Sequence, residues 1–191
     1  PVQEEVIPFL LGDDNDVIAL AQTGTGKTAA FGLPILQKID VTTYHPQALV
    51  LCPTRELCLQ IADDLNDYSK YIDNLKVLPV YGGSSIESQI KTLKRGVHVV
   101  VATPGRLLDL MNRKTVDLSL VKNVIMDEAD EMLNMGFTDS INAILAEVPE
   151  NRNMLLFSAT MPKEIANITK KYMKNPKEIV IGNKNEGNKN I

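Results

Sequence analysis

Two stretches of this chain combine residue types that could handle a phosphorylated ligand and a metal. One is Ala21-Gln22-Thr23-Gly24-Thr25-Gly26-Lys27-Thr28 and the other is Asp127-Glu128-Ala129-Asp130. Gly24 and Gly26 let a backbone turn its N–H groups toward an anion, Lys27 can reach terminal phosphates, and the Thr28 hydroxyl can ligate magnesium. The strict pattern for such a loop begins with glycine, and Ala21 stands in that place. Context offsets the departure. The strand-like run Val17-Ile18-Ala19-Leu20 precedes the loop and a helix-forming run follows it, so helix N-terminal N–H groups would face the phosphates. Asp127 and Glu128 follow the run 121–126, at the end of an expected buried strand. Asp127 there suits magnesium, and Glu128 suits the attacking water as positioner or base. An acidic helix N-terminus, favoured by the helix dipole, would explain one such acid better than two. Together the two stretches describe a nucleoside-triphosphate site.

Three further stretches carry polar chemistry. Pro53-Thr54-Arg55-Glu56 and Thr103-Pro104-Gly105-Arg106 each join a strand end, a proline turn and a helix start. Thr54 and Thr103 suit helix caps, and the prolines suit first-turn positions. The same capped starts, with Arg55 and Arg106 beside them, could also bind a phosphodiester backbone. Gly82-Gly83 adds a place where a backbone could approach closely.

The elements that must position these residues are legible as alternating apolar runs and helical patterns. Strands are expected at 16–21, 48–52, 76–80, 98–102, 124–127, 154–158 and 178–181. Helices are expected at 27–38, 55–71, 85–94, 105–112, 139–147 and 163–173. Several strand runs are apolar without alternation, as when both faces of a parallel sheet are covered. The fold class is therefore α/β: a three-layer α/β/α domain with a mainly parallel sheet. Ligands bind outside the carboxyl ends of such strands, where the phosphate loop, Pro53 to Glu56, Thr103 to Arg106, the Asp127 acids and Ser158-Ala159-Thr160 are expected to fall.

At 191 residues and 44% hydrophobic content, the chain can bury a core as one domain. It contains no run of eighteen or more apolar residues, so no membrane span is expected. A net charge of −4 means that any nucleic-acid site must be local, built from backbone N–H groups, helix N-termini and a few arginines. Cys52 and Cys58 match no zinc spacing and are expected to be reduced structural thiols of an intracellular, cytoplasmic protein. Pro1-Val2-Gln3-Glu4-Glu5 has neither methionine nor a basic and apolar leader, and reads as the interior of a longer chain. The polar, glycine-bearing segment 183–191 reads as a flexible linker. Asn183-Lys184 could suggest guanine recognition, but linker composition explains it better.

These motifs, in this order, resemble those of the first RecA-like domain of a DEAD-box RNA helicase, a P-loop domain. Gln3 resembles the glutamine of the family's Q motif, which reads adenine. Ala21 to Thr28 resembles motif I, which itself often begins with alanine. Pro53 to Glu56, Gly82-Gly83 and Thr103 to Arg106 resemble its RNA-backbone motifs. Asp127 to Asp130 spells the family name, and Ser158-Ala159-Thr160 resembles the motif that couples hydrolysis to strand separation. The family's upstream aromatic and its second RecA-like domain, with the arginine finger, have no counterpart in these residues.

The resemblance implies an ATP-binding domain over 1–182 and a linker over 183–191 toward an absent C-terminal RecA-like domain. It implies ATP held by Gln3 and by Ala21 to Thr28, with Mg2+ on Thr28 and Asp127. Lys27, Asp127 and Glu128 would be catalytic, and Asp130, Ser158 and Thr160 would couple the ATP and RNA sites. RNA would be gripped by its sugar-phosphate backbone at Pro53, Thr54, Arg55, Gly82, Gly83, Thr103, Pro104, Gly105 and Arg106. The expected protein is a monomer without membrane attachment that unwinds short RNA duplexes locally. The chain alone is expected to hydrolyse ATP very slowly, because a trans-supplied arginine is worth about 10³–10⁵ in rate. Two rivals are a DNA helicase or translocase on the same core, and a non-enzymatic scaffold. Intact Lys27, Asp127 and Glu128 argue against the scaffold.

Overall fold

A computed structural model describes residues 15–22 and 27–181. Short apolar segments, rich in Val, Ile and Leu, form seven strands: β1 (Val17–Ala21), β2 (Ala48–Leu51), β3 (Val77–Val80), β4 (Val99–Ala102), β5 (Asn123–Met126), β6 (Asn153–Ser158) and β7 (Lys177–Ile181). They make one sheet in the order β3-β4-β2-β5-β6-β1-β7, and every pairing in it is parallel. The inner strands β2, β4 and β5 are buried along their whole length. The two edges are blunted differently: β3 carries Pro79, and β7 exposes Lys177 and Glu178.

Helices α1 (Lys27–Gln37), α2 (Arg55–Tyr68), α3 (Ile86–Arg95), α4 (Pro104–Asn112), α5 (Ala129–Asn134), α6 (Thr138–Glu147) and α7 (Lys163–Tyr172) connect the strands. Alternate strand residues feed two cores. One face of the sheet packs Ala19, Val50, Val101 and Phe157 against α1 and α2 through Phe31, Ile35, Cys58, Ile61 and Leu65. The other packs Leu49, Val100, Met126 and Leu156 against α4 to α7 through Leu107, Met132, Ile141 and Ile165, with Ile86, Ile90 and Leu93 of α3 packed alongside. The expected three-layer architecture is present, and its sheet is wholly parallel among the described residues.

The start of β1 is fixed by a buried acid. Asp16 accepts from Met154 N at 2.8 Å and from Lys174 N at 2.7 Å, which joins β1, β6 and the turn before β7. Two expectations need correction. Helix α2 stops at Tyr68 rather than 71: Ser69 makes the last helical bond, to Leu65 O at 2.9 Å, and its own backbone, at φ −93° and ψ 1°, leaves the helix. Helix α5, absent from the sequence reading, begins immediately after Glu128. Cys52 and Cys58 are both free thiols and fully buried, as expected of structural cysteines. The expected linker over 183–191 lies outside the described residues, as do Gln3 and the loop residues Thr23, Gly24, Thr25 and Gly26.

Candidate functional site

A wholly parallel sheet sends every strand's carboxyl end to one edge, and the motifs gather there. Ala21 closes β1 in the core and Gln22 follows it at the surface. Lys27 opens α1, and its Nζ lies 2.8 Å from Asp127 Oδ1, with both side chains almost wholly buried. The same Nζ stands 5.6 Å from the centre of the Phe157 ring. Asp127 sits one residue past β5, where its N–H donates to Leu51 O at 2.8 Å and carries the strand ladder into the motif. Burial of two charges is tolerable here because each neutralises the other.

Glu128 comes next, with φ 51° and ψ 52°. This left-handed conformation costs a side-chain-bearing residue about 1–3 kcal/mol, so the surroundings must enforce it. It turns the chain from β5 directly into α5. Burial, and then the neighbouring Asp127 charge, push the Glu128 carboxyl above the ordinary range, while Lys27 opposes them. Thr28 is half-buried, and its side chain hydrogen-bonds Asp64 of α2, whose carboxyl burial pushes up. Among the described residues no group of three or more His, Cys, Asp or Glu is gathered for a metal. A site with only Thr28 and Asp127 as protein ligands would suit magnesium, which can take one or two such ligands and complete its octahedron with phosphate oxygens and water.

The far end of the same turn reaches β6. Asp130 Oδ2 accepts from Thr160 Oγ1 at 2.9 Å and from Thr160 N at 3.2 Å. Ser158, buried at the end of β6, donates its hydroxyl to Thr160 O at 2.6 Å. The three expected coupling residues thus form one connected chain.

The remaining motifs form a surface at the β2, β3 and β4 ends. Thr54 caps α2, accepting from Leu57 N at 3.2 Å. Pro53 precedes that cap rather than occupying the first turn. Pro104 does occupy the first turn of α4, but Thr103 makes no side-chain capping bond. Pro53, Thr103 and Pro104 are buried, whereas Arg55, Gly82, Gly83 and Gly105 are exposed. Gly83 has φ 82°, a conformation that glycine adopts without strain. The Arg55 guanidinium lies 5.0 Å above the centre of the Tyr81 ring. Arg106 NH1 donates to Ser84 O at 3.1 Å and to Gln89 Oε1 at 2.9 Å. Gln89 in turn donates through Nε2 to Tyr81 O at 3.2 Å and to Ser84 Oγ at 3.4 Å.

Sequence reasoning missed Tyr81, Ser84, Gln89 and Asp64. For Gln89 a signal existed: Ile86, Ile90 and Leu93 mark the inward face of α3, and a glutamine stands between them where an apolar residue is expected. Asp64 lies among other acids on α2 and carries no comparable signal.

A wholly parallel three-layer arrangement with Lys27 opening the helix that follows β1 and an acidic turn after β5 is a RecA-like P-loop domain, and solved structures bear this out. The chain superposes on a DEAD box protein from the hyperthermophile Methanococcus jannaschii with TM-score 0.89 and 46% identity, covering 95% of this chain and 49% of that one. The family model described as DEAD/DEAH box helicase matches residues 1–168. The chain belongs to the DEAD/DEAH box helicase family. It is 55% identical over 184 residues to the DEAD-box ATP-dependent RNA helicase CshA of Streptococcus pneumoniae, covering 96% of this chain and 35% of that protein. It is 53% identical over 178 residues to the ATP-dependent RNA helicase DeaD of Mycobacterium tuberculosis, covering 93% of this chain and 31% of that protein. The chain therefore spans about a third of the length of these relatives.

Proposed function

We propose that this chain is the ATP-binding, first RecA-like domain of a cytoplasmic, monomeric, ATP-dependent RNA helicase. Its second domain, reached through the linker 183–191, would supply the other wall of both sites. ATP with Mg2+ would sit over the loop that Lys27 and Thr28 complete, with Thr28 and Asp127 as the protein ligands of the metal. Magnesium, when bound, would neutralise charge on the transferring phosphate. Lys27 would hold terminal phosphates, Glu128 would orient the attacking water and accept its proton, and Gln3 would read adenine. Arg55 and Arg106, with the backbone of Gly82, Gly83 and Gly105, would hold RNA by its phosphates.

One observation supports this reading above the others: the turn from Asp127 to Asp130 holds Lys27 at one end and Thr160 at the other. Such a turn can transmit a change at the phosphates to the strand-end surface. The names of the relatives add ATP and RNA. The test is ATPase turnover of the full-length parent protein with matched single-stranded RNA or DNA. Stimulation by RNA, weakened when Arg55 and Arg106 are replaced together by Ala, is the expected result. Equal stimulation by DNA would move the substrate class to the rival translocase.

A further inference from the structure

Gln89 is a buried amide, 5% exposed, on a helix face otherwise given to the core. It makes three side-chain hydrogen bonds, and all of them run to the strand-end surface: two from Nε2 into the Tyr81–Ser84 turn and one accepted from Arg106. A primary amide donates to carbonyls through its nitrogen and accepts from a guanidinium through its oxygen at the same end of an uncharged side chain. Arg106 has five N–H donors; both hydrogens of NH1 are taken, by Ser84 O and by Gln89. No described protein group bonds its Nε or NH2, so three donors remain for a ligand. The Tyr81 carbonyl that Gln89 holds belongs to the residue whose ring lies under Arg55. One amide therefore stands between both arginines and the Gly82–Gly83 turn.

We propose that Gln89 is a positioning residue of the nucleic-acid surface: it locks the Tyr81–Ser84 turn to Arg106, so that the Arg55 and Arg106 guanidinium groups are presented at a fixed spacing to a sugar-phosphate backbone. This rests on the reading of that surface as the RNA site. The physical gain is preorganisation. An arginine already clamped through NH1 loses less side-chain freedom on meeting a phosphate than one moving freely.

The full-length parent protein tests this through its dependence on single-stranded RNA at fixed salt. Gln89→Met keeps the length and packing but removes all three bonds. It is expected to raise the RNA concentration for half-maximal ATPase stimulation about tenfold. Turnover at saturating RNA should change less than about twofold, a split that general loss of folding would not give. The Gln89→Met/Arg106→Ala double variant should lose less than the product of the single losses, because the two residues act through one contact. Gln89→Leu provides a second apolar replacement if the methionine variant does not fold. A rise below twofold in Gln89→Met, while Arg106→Ala shows a large one, overturns the role of Gln89 and leaves the RNA site standing. Fully multiplicative losses in the double variant overturn it too. Unchanged RNA dependence in both Arg55→Ala and Arg106→Ala removes instead the reading on which it rests.

Discussion

Glu128 carries a carboxyl raised above its ordinary value of 4.5 by burial and by Asp127, and its proposed duty requires the ionised form. The sign follows directly. A raised carboxyl is protonated more readily in the folded, metal-free protein, so hydrolysis, which needs the ionised form, should fall on acidification. Stability behaves in the opposite sense: the contribution of Glu128 is full below its unfolded pKa and is lost as pH rises through the raised folded one. In the full-length protein, Glu128→Gln is expected to keep binding a fluorescent ATP analogue. Its hydrolysis should drop about 10²–10⁴-fold and lose that acid limb of the pH–rate profile. Wild-type turnover in this variant would remove Glu128 from its role. A matching test applies to Arg106. Each phosphate neutralised on a single strand contributes about −0.7 to the slope of log affinity against log salt. Arg106→Gln should therefore flatten the measured slope by about 0.7, a change visible in RNA binding titrated across salt.

Among the elements, α1 and α2 meet at a glycine. A Cβ on Gly32 would stand 2.9 Å from Leu65 Cδ2 and 3.2 Å from Tyr68 Cδ2. Gly32→Val is expected to destabilise the domain by about 1–3 kcal/mol in urea unfolding. Gly32→Ala should be near neutral, because the gain in helix propensity, about 0.5–1 kcal/mol, offsets the closer contact. What the sequence made legible follows the same logic of burial. The inner strands were readable because runs such as Val99-Val100-Val101 have no polar face to hide, and Lys27 and Asp127 were readable because their neighbours are strand ends and glycines. Helix α5 was not, since six residues, two of them acidic, give no helical period long enough to detect. Its start is set by the left-handed turn at Glu128, which no residue preference announces. Thr103 also misled: it has the residue type of a cap, but its side chain makes no capping bond, and Pro104 opens the helix without one. Gln89 escaped because its meaning lies in Tyr81, Ser84 and Arg106, which only the sheet order brings together.

At the scale of the whole molecule, one edge of the sheet carries the chemistry in a chain whose net charge is −4. In an acidic chain, Arg55 and Arg106 at the strand-end surface leave a polyanion a favourable approach there rather than a general attraction, which favours a defined orientation. The Lys27–Asp127 pair at the middle of that edge has its own bearing on entry. Each ion is shielded from water and satisfied by its counterpart at 2.8 Å, so a visitor of a single sign can win one of them only by stranding the other. A phosphate chain escorted by a divalent cation brings both signs at once, and the two buried ions can change companions together without either standing bare. Removing magnesium with a chelator should therefore weaken ATP binding by far more than removing the adenine base does, as isothermal titration of ATP and of inorganic triphosphate, each with and without the metal, would show. The pair would then act as a doorkeeper that answers only to a visitor carrying both signs.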